Sequence, residues 1–147
     1  MTPTTYHSCF ISYASKDQTF AEELQTDLRA AGVSCWYAPE DLKIGEETRT
    51  AIDTAISANS KLLLILSTES VNSDWVKKEV ETAFEKERDS PKTLVLFPIR
   101  LDDAVITTNQ AWAADIRRMR NIGDFRQWKD PAMYHKALTR LLRDLRT

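Results

Sequence analysis

Trp75 and Glu79 stand four residues apart in the segment Trp75-Val76-Lys77-Lys78-Glu79. On a helix, that spacing puts the ring and the carboxylate on one face. A carboxylate held beside an aromatic wall can hydrogen-bond sugar hydroxyls and stabilise a positive charge developing on the sugar. Two readings of Glu79 stand on spacing alone. It is either that reactive carboxylate or one more surface glutamate, like Glu81, Glu85 and Glu87 on the same segment, with Trp75 as half-buried packing.

Other residues carry weaker signals. Glu40, Asp41, Lys43, Gly45, Glu46 and Glu47 crowd one polar loop that begins Ala38-Pro39. Gly45 permits a tight turn or the close approach of a ligand or partner. The same composition also suits an acidic solvated turn. Ser12, Tyr13, Ala14 and Ser15 precede a helix, where hydroxyls and backbone N–H groups can meet a phosphate. Ser15, three residues before Gln18, equally has the spacing of a capping box. Trp36 and Tyr37 end a strand, either as an aromatic pocket wall or as strand-end packing. Ser67 and Ser70 follow an apolar run, but no histidine is placed beside them in sequence to form a nucleophile triad. Neither glycine-rich phosphate loop is present, and the chain has 3 glycines in all. A phosphate grip must therefore use side chains and ordinary turns.

Strands alternating with helices must position these groups. Ser8 to Tyr13 and Val33 to Tyr37 read as strands. Between them Phe20, Leu24, Leu28 and Ala31 recur at helical spacing, with Gly32 as the residue just past the helix. Ala51, Ile52, Ala55 and Ile56 form the inward face of a second helix. Lys61 to Ser67 is apolar almost throughout, as a central strand covered on both faces requires. Ser73 to Arg88 reads as a helix with the stripe Val76, Val80, Ala83 and Phe84. Val76 points this stripe at the sheet and leaves Glu79 near its edge. Thr93 to Leu101 reads as a fourth strand. One helix is expected around Trp112, Ile116 and Met119, and a short fifth strand over Phe125 to Trp128. Pro131 opens the last helix, whose apolar face is Tyr134, Leu138, Leu141, Leu142 and Leu145.

This alternation predicts an α/β fold, a flavodoxin-like open parallel five-stranded sheet with helices on both faces. Its crevice lies outside the carboxyl ends of the strands, near Glu79. With 147 residues, the chain reads as a single domain, 1–147. The end at Arg146-Thr147, directly after a helical pattern, also fits a domain excised from a longer protein. A net charge of −2 argues against a nucleic-acid binder. Arg117, Arg118 and Arg120 read as a solvated helix face. No signal peptide or membrane-spanning apolar run is evident, so a cytoplasmic location without membrane binding is expected. Cys9 and Cys35 each lie in a strand candidate. Buried reduced thiols are the leading reading, with a disulfide between neighbouring strands as the other. Two histidines at opposite ends of the chain argue against a metal site.

The ordered motifs resemble the TIR (Toll/interleukin-1 receptor) domain family over nearly the whole chain. Cys9-Phe10-Ile11-Ser12-Tyr13-Ala14-Ser15-Lys16-Asp17 resembles the family's first strand and turn. Trp36 to Gly45, ending Asp41-Leu42-x-x-Gly45, resembles the loop after its second strand. Ser67, Ser70, Trp75 and Glu79 resemble its serine-rich turn and Trp-x-x-x-Glu segment, and Phe97-Pro98-Ile99 its fourth strand. Some family members are adaptors that assemble through TIR–TIR contacts. Others cleave the nicotinamide–ribose bond of NAD+, with the glutamate matching Glu79 as the catalytic residue. The resemblance implies an enzyme of the second kind, of bacterial antiphage defence, with NAD+ as substrate and no separate cofactor. It also implies homotypic assembly and a fused or separate sensor or effector module; the alternative is a non-enzymatic adaptor. Ser12, Tyr13, Ser15, Lys16, Trp36, Tyr37, Asp41, Lys43, Gly45, Ser67 and Trp75 are then the candidate dinucleotide contacts. Some animal NAD-cleaving members carry basic residues just after the first-strand tyrosine. Here Ala14 and Ser15 stand there, so phosphate binding differs or falls in part to Lys16. A response-regulator module is a further fold-level alternative, but Asp17 lacks the supporting acids of such a pocket.

Overall fold

Lys61–Leu66 forms β3, and every one of its residues is buried. Such a strand must lie centrally, and it does. The structure, a computed structural model, describes residues 4–37, 45, 58–89 and 94–147. Around β3 the chain runs β1 (Cys9–Ser12), α1 (Gln18–Ala30), β2 (Cys35–Trp36), then α2 (Thr68–Val71), α3 (Asp74–Asp89), β4 (Leu96–Arg100), α4 (Ala104–Thr107), α5 (Ala111–Met119), β5 (Gly123–Asp124) and α6 (Pro131–Leu145). The five strands are parallel and ordered β2-β1-β3-β4-β5. This is the expected flavodoxin-like order, and its switch point falls between β1 and β3.

Alternation along the strands divides the core in two. Cys9, Ile11, Leu63, Ile65 and Ile99 pack with α1 and α6. Phe10, Leu62, Leu64, Leu66 and Leu96 pack with α3 and α5. Ser12, two residues beyond Phe10, shares the α3 face. The helix expected over Ala51 to Ile56 and most of the loop from Ala38 lie outside the described residues.

Local sequence sets several boundaries. Gly32, at φ +98°, sits just past α1. Its N–H donates to the Arg29 carbonyl, and the Val33 N–H to that of Leu28. This closes the helix with the paired bonds that a left-handed glycine allows. Asp130 caps α6 by accepting from Ala132 and Met133 N–H groups, with Pro131 in the first turn. Ser15 does not cap a helix as its spacing predicts. It begins a 3₁₀ turn, Ser15–Asp17, that carries no side-chain cap. The capping box forms instead at α2, where Ser67 and Ser70 exchange side-chain and backbone hydrogen bonds.

The fifth strand is also displaced from expectation, to Gly123–Asp124. Phe125 and Trp128 lie in the turn beyond it, closed by Trp128 N–H to the Phe125 carbonyl at 3.1 Å. Both rings pack edge-on against Phe20, so their apolar spacing reflects turn packing. The helix expected around Trp112, Ile116 and Met119 is α5, and the short α4 precedes it. Gln110 holds the break between them by donating to the Val71 carbonyl and accepting from the Trp112 indole.

Gly123 is required for β5 to approach β4. A Cβ there would stand 2.9 Å from Cγ2 of buried Ile99. Gly123→Ala is expected to lower stability by about 1–3 kcal/mol, the usual cost of overpacking a filled core. Urea denaturation checks this, and an unchanged midpoint would show that the edge strand yields freely.

Cys9 and Cys35 stand in register on β1 and β2, and both are buried free thiols. Burial pushes the Cys9 thiol up to about 12, so it is not a reactive thiolate. Among the described residues, no helix is long and apolar enough to cross a membrane.

Candidate functional site

β1 and α3 build the site together. Ser12 is the last residue of β1, held in register with Leu64 of β3 and only 4% exposed. Val76, Val80 and Ala83 bury the inward stripe of α3. Glu79 therefore leaves the helix beside this stripe, and its carboxylate Oε2 accepts a hydrogen bond from Ser12 Oγ. The expected position at the carboxyl edge of the sheet is found, but the carboxylate is more enclosed than the sequence indicates. Glu79 is half-buried as a residue. Desolvation pushes its pKa up to about 7, against the Ser12 hydrogen bond, which pulls it down. Glu79 is poised between its two forms.

Two tryptophans join the apolar cluster on this side of the sheet. Trp36 and Trp75 are half-buried against the apolar cluster that contains Phe10, Val76 and Val80. Trp36 stacks on Phe10 with centroids 4.9 Å apart. Tyr37 takes the other side of the sheet. It is 1% exposed in the α1-side core, where Tyr13 stacks on it at 5.4 Å. Trp36 and Tyr37, adjacent in sequence, thus belong to opposite faces.

The remaining candidates are tied along the strand ends. Ser67 Oγ donates to the Asp17 carboxylate. Desolvation raises the Asp17 pKa, opposed by that hydrogen bond and reinforced by Asp102 and Glu69. Lys16, largely exposed, pairs with Glu69 at 3.6 Å. These two contacts join the turn after β1 to the turn after β3. Ser15 lies in the same 3₁₀ turn. Gly45 is exposed at φ +84°, a conformation that suits glycine. Asp41 and Lys43 lie outside the described residues.

The Asp17–Ser67 bond was not legible in the sequence, because its partners are fifty positions apart. The Ser12–Glu79 bond had one usable signal, the period-two alternation that puts Ser12 on the Phe10 face. Of the basic run, Arg118 is a solvated side chain as expected, whereas Arg117 and Arg120 are half-buried and engaged. Arg117 donates to the Val105 and Thr108 carbonyls, Arg118 pairs with Asp115, and Arg120 pairs with Glu87. Glu87 in turn accepts from the Val95 and Leu96 N–H groups at the entry to β4.

A cleft of about 570 Å³ lies elsewhere, between β4, β5 and α6. Its acids are already engaged, Asp124 with Arg126 and Asp144 with Arg143. Asp124 is held down to about 2, chiefly by the Arg126 hydrogen bond. Glu79 and Asp17 are each a desolvated carboxylate with a neutral hydroxyl partner, and Glu79 is the one raised as far as about 7.

The TIR domain family model matches residues 9–142. The 2' cyclic ADP-D-ribose synthase AbTIR of Acinetobacter baumannii is 30% identical over 90 residues, covering 60% of this chain and 34% of that protein. The 2' cyclic ADP-D-ribose synthase BtTIR of Bacteroides thetaiotaomicron is 33% identical over 98 residues, covering 66% and 33%. The chain thus spans about a third of the length of these curated relatives. The TIR domain of the Toll-related receptor TRR-2 of Hydra magnipapillata has the same fold, with a TM-score of 0.69 at 18% identity, covering 96% of this chain and 98% of that one.

Proposed function

This chain belongs to the TIR domain family, and on that premise we propose that it cleaves the bond between nicotinamide and ribose in NAD+. One observation carries the reading. The half-buried Glu79 carboxylate sits at the carboxyl edge of the sheet, bonded to Ser12 and flanked by the cluster that holds Trp36 and Trp75. The relatives named as 2' cyclic ADP-D-ribose synthases support it.

Nicotinamide in NAD+ is a cation and leaves as a neutral base. The electron pair of the C1′–N bond passes to the ring nitrogen, so no acid is needed to protonate the leaving group. Positive charge then develops on the ribose, as in glycoside cleavage. The Glu79 anion lies beside the sugar, accepts from its hydroxyls and stabilises that charge. A water oxygen attacking C1′ loses a proton and gives ADP-ribose. A hydroxyl of the same dinucleotide attacking C1′ loses its proton and gives a cyclic ADP-ribose. Trp75 walls the sugar and limits water at the reacting carbon.

The protein works in homotypic assemblies that complete the site, in bacterial defence, joined to a sensor or effector module. Nicotinamide release should therefore rise more steeply than linearly with protein concentration. The test incubates the protein with NAD+ over a range of concentrations and separates nicotinamide, ADP-ribose and cyclic products by chromatography. Release of nicotinamide with either ADP-ribose species supports the reading. Intact NAD+ in protein shown to be assembled assigns the chain to the adaptor class instead. Linear specific activity from a monomer removes the composite site.

A further inference from the structure

We propose that Ser12 is a positioning residue, whose hydroxyl fixes the Glu79 carboxylate against the end of β1 and leaves its second oxygen for the sugar. The inference rests on the NAD+-cleaving role of Glu79. It gives Ser12 a task different from the phosphate contact expected from its place before a helix.

The strand makes Ser12 a rigid anchor. Its backbone is locked in register with Leu64, and its side chain is buried on the α3 face. Glu79 reaches it from a helix with three rotatable side-chain bonds, so an unanchored carboxylate would spread over several rotamers. The bond is made to Oε2, and among the described residues Ser12 is the hydrogen-bond partner that Glu79 has. Oε1 remains to accept from a ribose hydroxyl. The single hydroxyl proton of Ser12 is already spent on Glu79, which leaves none to donate to a phosphate.

The chemical type of the partner matters as much as its place. An arginine or lysine would fix Glu79 equally well, but would neutralise it and repel a cationic substrate. A serine hydroxyl orients the carboxylate and carries no charge. From β1 the group facing Glu79 is Ser12. Trp36 of β2 and Trp75, Val76 and Val80 of α3 belong to the uncharged cluster beside it. Burial and the Ser12 bond are what set its titration, with no contribution from a charged side chain among the described residues.

The test compares the intact protein with Ser12→Ala, Ser12→Thr and Glu79→Gln. Loss of a hydrogen bond to a charged group should lower kcat about 10- to 100-fold in Ser12→Ala, with KM little changed. Ser12→Thr should restore most of it, because the hydroxyl returns. Adding Ser12→Ala to Glu79→Gln should cost little further activity, since both act through one group. A phosphate contact would instead raise KM, leave kcat intact and add its loss to that of Glu79→Gln; that outcome overturns the proposal. A second readout is independent of turnover. Carbon-13 NMR of the Glu79 carboxyl should show its midpoint moving upward from about 7 in Ser12→Ala, as loss of a donor to the anion requires. An unmoved midpoint overturns the positioning role, whether or not the chain cleaves NAD+. A moved midpoint in a protein with no turnover would retain the Ser12–Glu79 coupling and reject the enzymatic reading alone.

Discussion

Glu79→Gln is expected to reduce nicotinamide release by about 10²- to 10³-fold, the scale for removing one preorganised electrostatic group. The same substitution is expected to make the protein more stable. The two effects share a cause. Burial raises the Glu79 carboxyl to about 7, from an ordinary value of 4.5. Between those values the folded protein holds a proton there and the unfolded chain does not. Stability therefore falls as pH rises through this window, and the penalty is fully present above about 7. Allowing for the partial exposure of Glu79, the penalty is roughly 2–3 kcal/mol. Glutamine removes it, fills the same volume and still accepts from Ser12. At pH 8, Tm should rise by about 4–12 °C, whereas near pH 4.5 the two proteins should melt alike. Differential scanning calorimetry at both pH values checks this. An equal or lower Tm at pH 8 would mean that the ionised carboxylate is not held at a cost. The site thus gives up stability to keep an anion where the reaction needs it.

Turnover should carry an acid limb near neutrality. If the reactive form of Glu79 is the carboxylate, kcat/KM for NAD+ rises about tenfold per pH unit until about 7, then levels. At pH 5 it should be about 100-fold below its plateau. The limb in kcat should lie at lower pH than the limb in kcat/KM. Bound NAD+ brings the cationic nicotinamide ring near Glu79, and an opposite charge favours the ionised form. Measuring both parameters between pH 5 and 9, at one state of assembly, tests this. A limb near 4.5 in kcat/KM would place Glu79 in water. A flat profile across the range would remove its ionisation from the mechanism.

The main frame of the fold was written in local pattern. The run from Lys61 to Leu66 could only be a central strand, and Gly32 and Pro131 mark helix ends through backbone geometry that few other residues supply. The pairs that were not legible depend on tertiary approach. Phe125 and Trp128 read as a strand because their role in packing on Phe20 is invisible until α1 and the last turn meet. Ser15 had the spacing of a cap, but it is already the first residue of the 3₁₀ turn, one position earlier than that cap requires, and Ser67 forms the box instead. At the site, the Trp75 and Glu79 spacing gave the residues and their helix face. It did not give the enclosure of the carboxylate, which follows from Ser12 arriving on a neighbouring element. Trp36 and Tyr37 looked alike in sequence and separate in space, because consecutive side chains at a strand end point to opposite faces.

The most direct measurement is the structure of the assembled protein with a non-cleavable NAD+ analogue bound. The account predicts that Glu79 Oε1 lies within hydrogen-bond distance of the nicotinamide-side ribose hydroxyls, with Oε2 still on Ser12 Oγ. A dinucleotide seated with that ribose remote from residue 79, and the carboxylate facing bulk solvent, would contradict it.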